Sequence, residues 1–488
     1  VTITGYTKAK TDQILLGYTK KRPGWADVKD FGAIGDGVAD DAPAVVAAQA
    51  SLGATGGVVY FPPGRYRLAS TVPIATQVTY RGASAVASVI TSTTAIEFLF
   101  RNSGSGNLAD VSFEQLGFAG NAVLPALFPT RARSQFGAAA RTAIMVNAKA
   151  YTPANPAADG VTVRDCRFSN FIAPPVSLLG VSGRAIMDTN VFFNCMDPGY
   201  VHCEEVVFTD NLCEKSSDNG VSISRATARV VCTGNVAADC AFSGLFVAGW
   251  VGTDNAGLVV SEPGPSVFEV TGNTVSNCGW YGIQADNGPQ IGTITGNTID
   301  TVSRGPIDGR NDAFGHGIFL NGYPAYPATS TQLARLINVG DNTISNAAKF
   351  GIAMVSVQGI KVHDNTLFNI GSDFQADGAT AVPASDPNQN VGIFIGSPAS
   401  NNNLEVVDNF IFDTRGASKR TNFGVAVSNS GGSPVNFIRR GNTERGMRNA
   451  TTEHVLTYSR SAAGETAALA ALRQELASMG LISDLTTA

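Results

Sequence analysis

The chain is poor in charge, in tryptophan and in long apolar runs. Asp, Glu, Lys and Arg make up 15% of its 488 residues, and the net charge is -5. A sparse, slightly acidic charge gives no footprint for nucleic acid. No apolar stretch reaches the roughly 18 residues of a membrane-spanning helix, so no membrane span is expected. No secretory leader is legible, which leaves open one already removed. The seven cysteines (Cys166, Cys195, Cys203, Cys213, Cys232, Cys240 and Cys278) fit no zinc spacing, and their odd number argues against a full disulfide framework. They are expected as buried free thiols packing as small apolar groups. No cluster of carboxylates points to a metal, and no cofactor is expected.

What the chain has is a returning phrase. An Asn followed by apolar residues is answered nine positions later by a Gly that opens a short apolar strand: Asn190 and Gly199, Asn211 and Gly220, Asn235 and Gly244, Asn273 and Gly282, Asn342 and Gly351. Looser copies begin at Asn297, Asn365, Asn409 and Asn442, and undisturbed repeats are 21 to 24 residues long. A fixed period in this range signals a repeat architecture. The strands after the glycines, such as Gly282-Ile283-Gln284-Ala285 and Gly351-Ile352-Ala353-Met354, alternate with period two, which is strand and not helix. The fixed leucines and helical stretch of a leucine-rich repeat are missing. Three short strands per coil, stacked at about 4.8 Å, predict an all-β fold, a parallel β-helix solenoid. The Asn residues are then structural: they stack at one turn, bond coil to coil through their amides and tolerate the left-handed conformation there. Cys195, Cys240 and Cys278, each five residues after such an Asn, form a second stacked column.

The organisation follows. Residues 1–23 are an arm with Lys8, Lys10, Lys20, Lys21 and Arg22 against Asp12 alone. Its Tyr6–Gly17 phrase resembles the short linker repeats of phage tail fibres, and a disordered arm fits the composition equally well. Residues 24–90 are the N-terminal cap and first coils. Residues 91–446 are the solenoid, with an insertion at 120–158. Residues 447–488 leave the repeat for a helical tail, whose Leu469, Leu472, Leu476 and Met479 make a short seam that can dock on its own solenoid or join chains.

The cap reads Asp27-Val28-Lys29-Asp30-Phe31-Gly32-Ala33-Ile34-Gly35-Asp36-Gly37, then Asp40-Asp41, an Ala-rich helix to about Ala50, and Gly56-Gly57-Val58-Val59-Tyr60-Phe61-Pro62-Pro63-Gly64-Arg65-Tyr66. Asp40 and Asp41 are candidate N-caps, and Pro43 suits the first turn. A solenoid needs its open end covered, and an amphipathic helix here would cover it. This segment resembles the cap of the pectate-lyase-like superfamily of right-handed parallel β-helix proteins, which includes phage tailspikes and relatives of polygalacturonase. The resemblance makes Asp36, Asp40 and Asp41 structural.

Function on such a scaffold lives in loops and outward side chains of one face. Extra residues at about 250–264 and 322–333 follow the Gly strand; others, at 299–315, 370–389 and 413–421, precede it. Loops on both flanks of one strand column make a groove. Its expected floor and walls carry Asp218, Ser222, Ser224, Phe242, Phe246, Trp250, Trp280, Tyr281, Gln284, Asp286, His316, Phe319, Asn321 and Tyr323. Rings beside carboxylates suit sugars, although Phe246, Phe319 and Phe394 equally make a stacked external ladder. Glu214, Asp218 and Asp286, with Asp308 and Asp312 on an inserted loop, are the candidate carboxylates for glycoside hydrolysis. Arg225, Arg304 and Arg310 are candidate partners for an acidic polymer.

Gly315-His316-Gly317 resembles the Gly-His-Gly motif of polygalacturonases, and Ser217-Asp218-Asn219-Gly220 is a weaker echo of their Asn-Thr-Asp-Gly. The paired Asp-Asp of that family is missing; Trp280-Tyr281 occupies its nearest slot. The expectation is a tailspike-type protein that binds and cleaves a bacterial surface polysaccharide. Glu214, Asp218, Asp286 and His316 would serve catalysis; Arg225, Phe246, Trp250, Trp280, Arg310, Asp312 and Tyr323 would hold substrate. The resemblance implies a homotrimer on a virion tail or outside a cell, with a site that can lie between subunits. A uronate lyase or epimerase and a non-catalytic glycan-binding adhesin are the alternative readings.

Overall fold

The computed structural model describes residues 24–92, 96–102, 108–120, 142–147, 156–171, 173–224, 228–253, 259–262, 264–303, 315–322, 333–373, 381–383, 386, 388–396, 401–428 and 434–449. The arm and nearly all of the C-terminal tail lie outside them.

A typical coil contributes one short strand to each of three long sheets, which have 16, 14 and 12 strands among the described residues. One coil shows the plan: Glu205–Thr209 joins the first sheet, Leu212–Glu214 the second and Val221–Ser224 the third. Neighbouring coils pair in parallel, as with Glu205↔Arg229 and Val221↔Leu245. The three strands per coil and the period-two alternation are as the sequence predicts. Inward residues of all three sheets fill one continuous core. Aromatic rings stack along its axis, Phe118 on Phe168 at 4.9 Å and Phe168 on Phe192 at 5.0 Å.

The recurrent Asn sits between the first and second sheets and is buried in every coil from Asn190 to Asn442. Its backbone N–H and its Nδ2 both donate to the Oδ1 of the next Asn, through Asn190, Asn211, Asn235, Asn273, Asn297, Asn342, Asn365, Asn409 and Asn442. Cys166, which has no amide to offer, ends the run by donating its N–H to Asn190 Oδ1 at 3.0 Å. One expectation is corrected. The left-handed conformation falls on the residue before each ladder Asn, as at Asp210 (φ 54°), Gly272 (φ 65°) and Asp364 (φ 53°). That preceding residue turns the corner, which leaves the Asn free to aim its amide along the column.

The glycines that open the third-sheet strands have a different cause. A Cβ at Gly317 would meet Ile344 Cγ2 at 2.4 Å and Gly351 O at 2.6 Å. The next coil's second-sheet side chain fills the space a side chain would need.

The N-terminal end is closed by a helix, α1 (Ala42–Ser51), which buries Ala44, Val45, Ala48 and Gln49. Gln49 Nε2 donates to Pro73 O at 2.9 Å, and the buried Tyr80 hydroxyl donates to Gln49 Oε1 at 3.0 Å. Asp41 holds the N-cap position without capping the helix. Its carboxylate instead accepts from Ile34 N–H at 2.7 Å and Gly35 N–H at 3.2 Å, while Asp40 Oδ1 accepts from Ala42 N–H at 3.2 Å. Both therefore hold the cap together, the structural role expected of them.

Candidate functional site

The third sheet presents three rows of side chains on its outer face. The row two residues after each Gly runs Ser222, Phe246, Gln284, Phe319, Ala353, Phe394 in register. The row just before each Gly runs Tyr281, His316, Phe350, Val391. The row four residues after the Gly includes Ser224, Ala248 and Asp286. Alternation along a strand places these side chains on the face away from the core.

Rings dominate this face. Phe242 and Trp280, one coil apart in the turn that enters the third sheet, meet edge to face at 4.1 Å. Tyr281 stacks on Phe319 at 4.8 Å. His316 is 4% exposed and lies 5.3 Å from Tyr281, 5.5 Å from Phe319 and 4.8 Å from Phe350. His316 is thus a packed member of the aromatic floor. Further along, Phe350 stacks on Phe394 at 4.3 Å, so Phe319, Phe350 and Phe394 belong to an external apolar ladder. Phe246 is half-buried between Ser222 and Gln284.

The carboxylates separate into three settings. Asp218 is 4% exposed in the turn from the second to the third sheet. Its Oδ1 accepts from Asn219 Nδ2 at 3.1 Å, and its carbonyl accepts the Phe242 N–H at 3.0 Å. Asp286 ends its strand in register with Ala248 and Ser224. Its Oδ1 accepts from Asn287 N–H at 2.7 Å and Asn321 Nδ2 at 2.8 Å, and its Oδ2 accepts from Gln284 Nε2 at 3.1 Å. Burial pushes Asp286 above its ordinary value, against those hydrogen bonds. Glu214 closes a second-sheet strand in register with Phe193 and Ala238.

The structure therefore does not bring Asp218 and Asp286 together. Strand residues 221 to 224 alone separate them by roughly 10 Å along the chain direction, and two coils add about 10 Å across it. That exceeds the span of a hydrolytic carboxylate couple, about 5–9.5 Å. Glu214 lies on another sheet from Asp286.

One residue was missed. Asp197 is 5% exposed and lies seven residues after Asn190, the offset of Asp218 from Asn211. It occupies the same turn one coil earlier, where Ser217 N–H donates to Cys195 O at 3.0 Å and Ser222 N–H donates to Pro198 O at 3.0 Å. The shared offset was present in the sequence and would have found it.

The insertion after Gly244 forms an antiparallel hairpin, Trp250–Thr253 with Val259–Glu262, beside this face. Trp250 is on its first strand. Arg225, Arg304, Asp308, Arg310, Asp312 and Tyr323 lie outside the described residues. Among the described residues no group of three His, Cys, Asp or Glu could hold a metal, and no helix is long and apolar enough to cross a membrane.

Fold and repeat define a right-handed parallel β-helix protein. A family model for rhamnogalacturonase A/epimerase, pectate lyase-like, matches residues 25–246, and one for the right handed beta helix region matches residues 256–443. The chain belongs to the pectate-lyase-like right-handed β-helix proteins. In fold it is similar to tailspike protein 3 of bacteriophage CBA120, with a TM-score of 0.53 and 13% identity over 95% of this chain and 67% of that one. The surface adhesin PfbA of Streptococcus pneumoniae gives a TM-score of 0.52 and 15% identity over 87% of this chain and 90% of that one. Mannuronan C5-epimerase AlgE6 of Azotobacter vinelandii is 58% identical over 45 residues, 9% of this chain. The chain thus covers only 5% of that relative's length.

Proposed function

We propose that the protein binds a polysaccharide along the outer face of the third sheet and hydrolyses its glycosidic bonds with a carboxylate pair. The observation that carries this reading is the ring-lined floor of Phe242, Trp280, Tyr281, His316 and Phe319 beside the turn that buries the carboxylates Asp197 and Asp218. Rings stack on the apolar faces of sugars. Asp197 and Asp218 come from the same turn of consecutive coils. A coil spacing of about 4.8 Å is near the lower end of the range for the two carboxyl groups of a glycosidase. In the reaction one carboxylic acid gives its proton to the glycosidic oxygen. The other, ionised, activates water or attacks the anomeric carbon, and the elements of water end on the two fragments. Asp218 with Asp197 takes these roles better than Asp218 with Asp286 or Glu214.

His316 supports the floor in this reading. Phe246 and Trp280 hold sugar rings; Trp250, Arg225, Arg310, Asp312 and Tyr323 are substrate-binding candidates on the sequence reading. A bacterial surface polysaccharide as substrate, a homotrimer, and a place on a virion tail or outside the cell are in keeping with the likeness in fold to a tailspike and an adhesin. The epimerase in the family description, with the short likeness to a mannuronan C5-epimerase, supports a second reading, a lyase or epimerase on a uronate polymer.

Digestion of bacterial capsular, lipopolysaccharide and plant uronate polymers, followed by mass spectrometry, tests this. Saturated oligosaccharides are expected. Products lighter by one water select a lyase. Binding with intact polymer removes the hydrolytic roles; a changed uronate stereochemistry by NMR then selects an epimerase, and an unchanged polymer selects an adhesin.

A further inference from the structure

The centre of the third sheet's outer face carries a polar chain that the hydrolysis above does not use. Ser243 Oγ donates to Gln284 Oε1 at 2.8 Å, and Gln284 Nε2 donates to Asp286 Oδ2 at 3.1 Å. Asp286 Oδ1 takes Asn321 Nδ2 at 2.8 Å and Asn287 N–H at 2.7 Å. Ser243, Gln284 with Asp286, and Asn321 come from three consecutive coils, so the chain runs across the groove floor. Gln284 lies in register between Phe246 and Phe319.

Two physical consequences follow. First, three of the roughly four lone-pair directions of the Asp286 carboxylate are taken by protein donors. Such a group holds its neighbours in place rather than shuttling a proton. It fixes which way the Gln284 amide faces, because only Nε2 can donate to it, and Oε1 is left for Ser243. Second, the patch joins a carboxylate to two amides beside stacked rings. Sugar hydroxyls both donate and accept, so they match carboxylate and amides together. A uronate carboxylate would bring a second negative charge to Asp286 and no donor, and like charges at close range repel.

Resting on the glycan reading of the groove, we propose that this network is a subsite for an uncharged sugar residue, and that Asp286 is a positioning residue that sets the Gln284 and Asn321 amides. The substrate is then a polymer whose repeat offers a neutral sugar over this patch.

The test is affinity electrophoresis of the full chain in gels that contain, one at a time, uronate-free lipopolysaccharide O-chains, polygalacturonate, alginate, and the carboxyl-reduced forms of the last two. Retention is expected on a uronate-free or carboxyl-reduced polymer, with Kd at least about tenfold below that of any native uronate polymer. Asp286→Asn and Gln284→Ala should each weaken that binding by about tenfold, measured at a temperature where circular dichroism shows each variant folded. On a polymer that is cleaved, Asp286→Asn should raise KM and keep kcat, with its pH limbs, within about twofold. Tighter binding of a native uronate polymer than of its reduced form would overturn the proposal. So would an Asp286→Asn enzyme that loses kcat or a pH limb at unchanged KM. Retention on none of these polymers is a different failure, because it removes the glycan reading itself.

Discussion

Asn297 donates twice to one atom of Asn342: its backbone N–H reaches Oδ1 at 3.0 Å and its Nδ2 reaches the same oxygen at 2.9 Å. The two residues are 45 positions apart, against 21 to 24 in undisturbed coils. The inserted residues leave the coil elsewhere, and the ladder does not register them. Asn297 also accepts both corresponding donors of Asn273. Asn297→Ala should therefore strand two buried N–H groups and cost about 2–4 kcal/mol, seen as a lower midpoint in denaturant. An unchanged midpoint would show that the ladder adds nothing to stability.

Gly317→Ala should destabilise by about 1–3 kcal/mol, because the new methyl enters space held by Ile344 and the Gly351 carbonyl. Gly53→Ala, where nothing lies within 4 Å of the added carbon but φ is +60°, isolates the cost of backbone conformation from that of crowding. Thermal melts of the two variants separate these causes.

Asp413 is an acid-sensitive clasp. Burial raises its pKa, but Arg415, with the N–H groups of Thr421, Arg420 and Arg415, outweighs burial and holds the carboxyl well below the usual range. The Arg415 guanidinium also reaches the carbonyls of Gly371 and Ile370 at 3.1 and 3.0 Å, tying two segments together. A depressed folded-state pKa gives stability that is full above the ordinary carboxylate value, about 4, and is lost as pH falls toward the folded value. The melting temperature should drop below pH 4 more steeply in the native protein than in Asp413→Asn. That variant, with Arg415 left unpaired, should lose about 3 kcal/mol at neutral pH. Parallel pH profiles for the two proteins would refute the clasp.

If the hydrolytic reading holds, Asp218→Asn and Asp197→Asn should each lower kcat by about 10²–10⁴ at unchanged melting temperature. Glu214→Gln should stay near native activity, since Glu214 lies on the second sheet. Full activity in both Asp variants would move the chemistry elsewhere.

All seven cysteines are buried and free. Burial pushes the Cys166, Cys195 and Cys232 thiols up to about 12. A thiol reagent at pH 8 should label the folded protein far more slowly than the protein in denaturant. Rapid labelling of the native chain would contradict this packing.

The Asn ladder and the strand alternation were legible because each depends on a local rule repeated at fixed spacing. The left-handed turn was misassigned by one residue: sequence shows that Asn tolerates that conformation and can bond to the next coil, but not that the residue before it takes the turn. Asp218, Phe242, Trp280 and Gln284 were found as members of one face for the same periodic reason.

The sequence by itself determined the coil, its three strands, its structural ladder and the face that carries rings and carboxylates. The tertiary structure decided which of those carboxylates are neighbours. Proximity here is set by the pairing between coils, which does not always keep one offset: Gly199, nine residues after Asn190, pairs with Ser222, eleven after Asn211. Residues on one face but several positions and two coils apart, such as Asp218 and Asp286, do not come close.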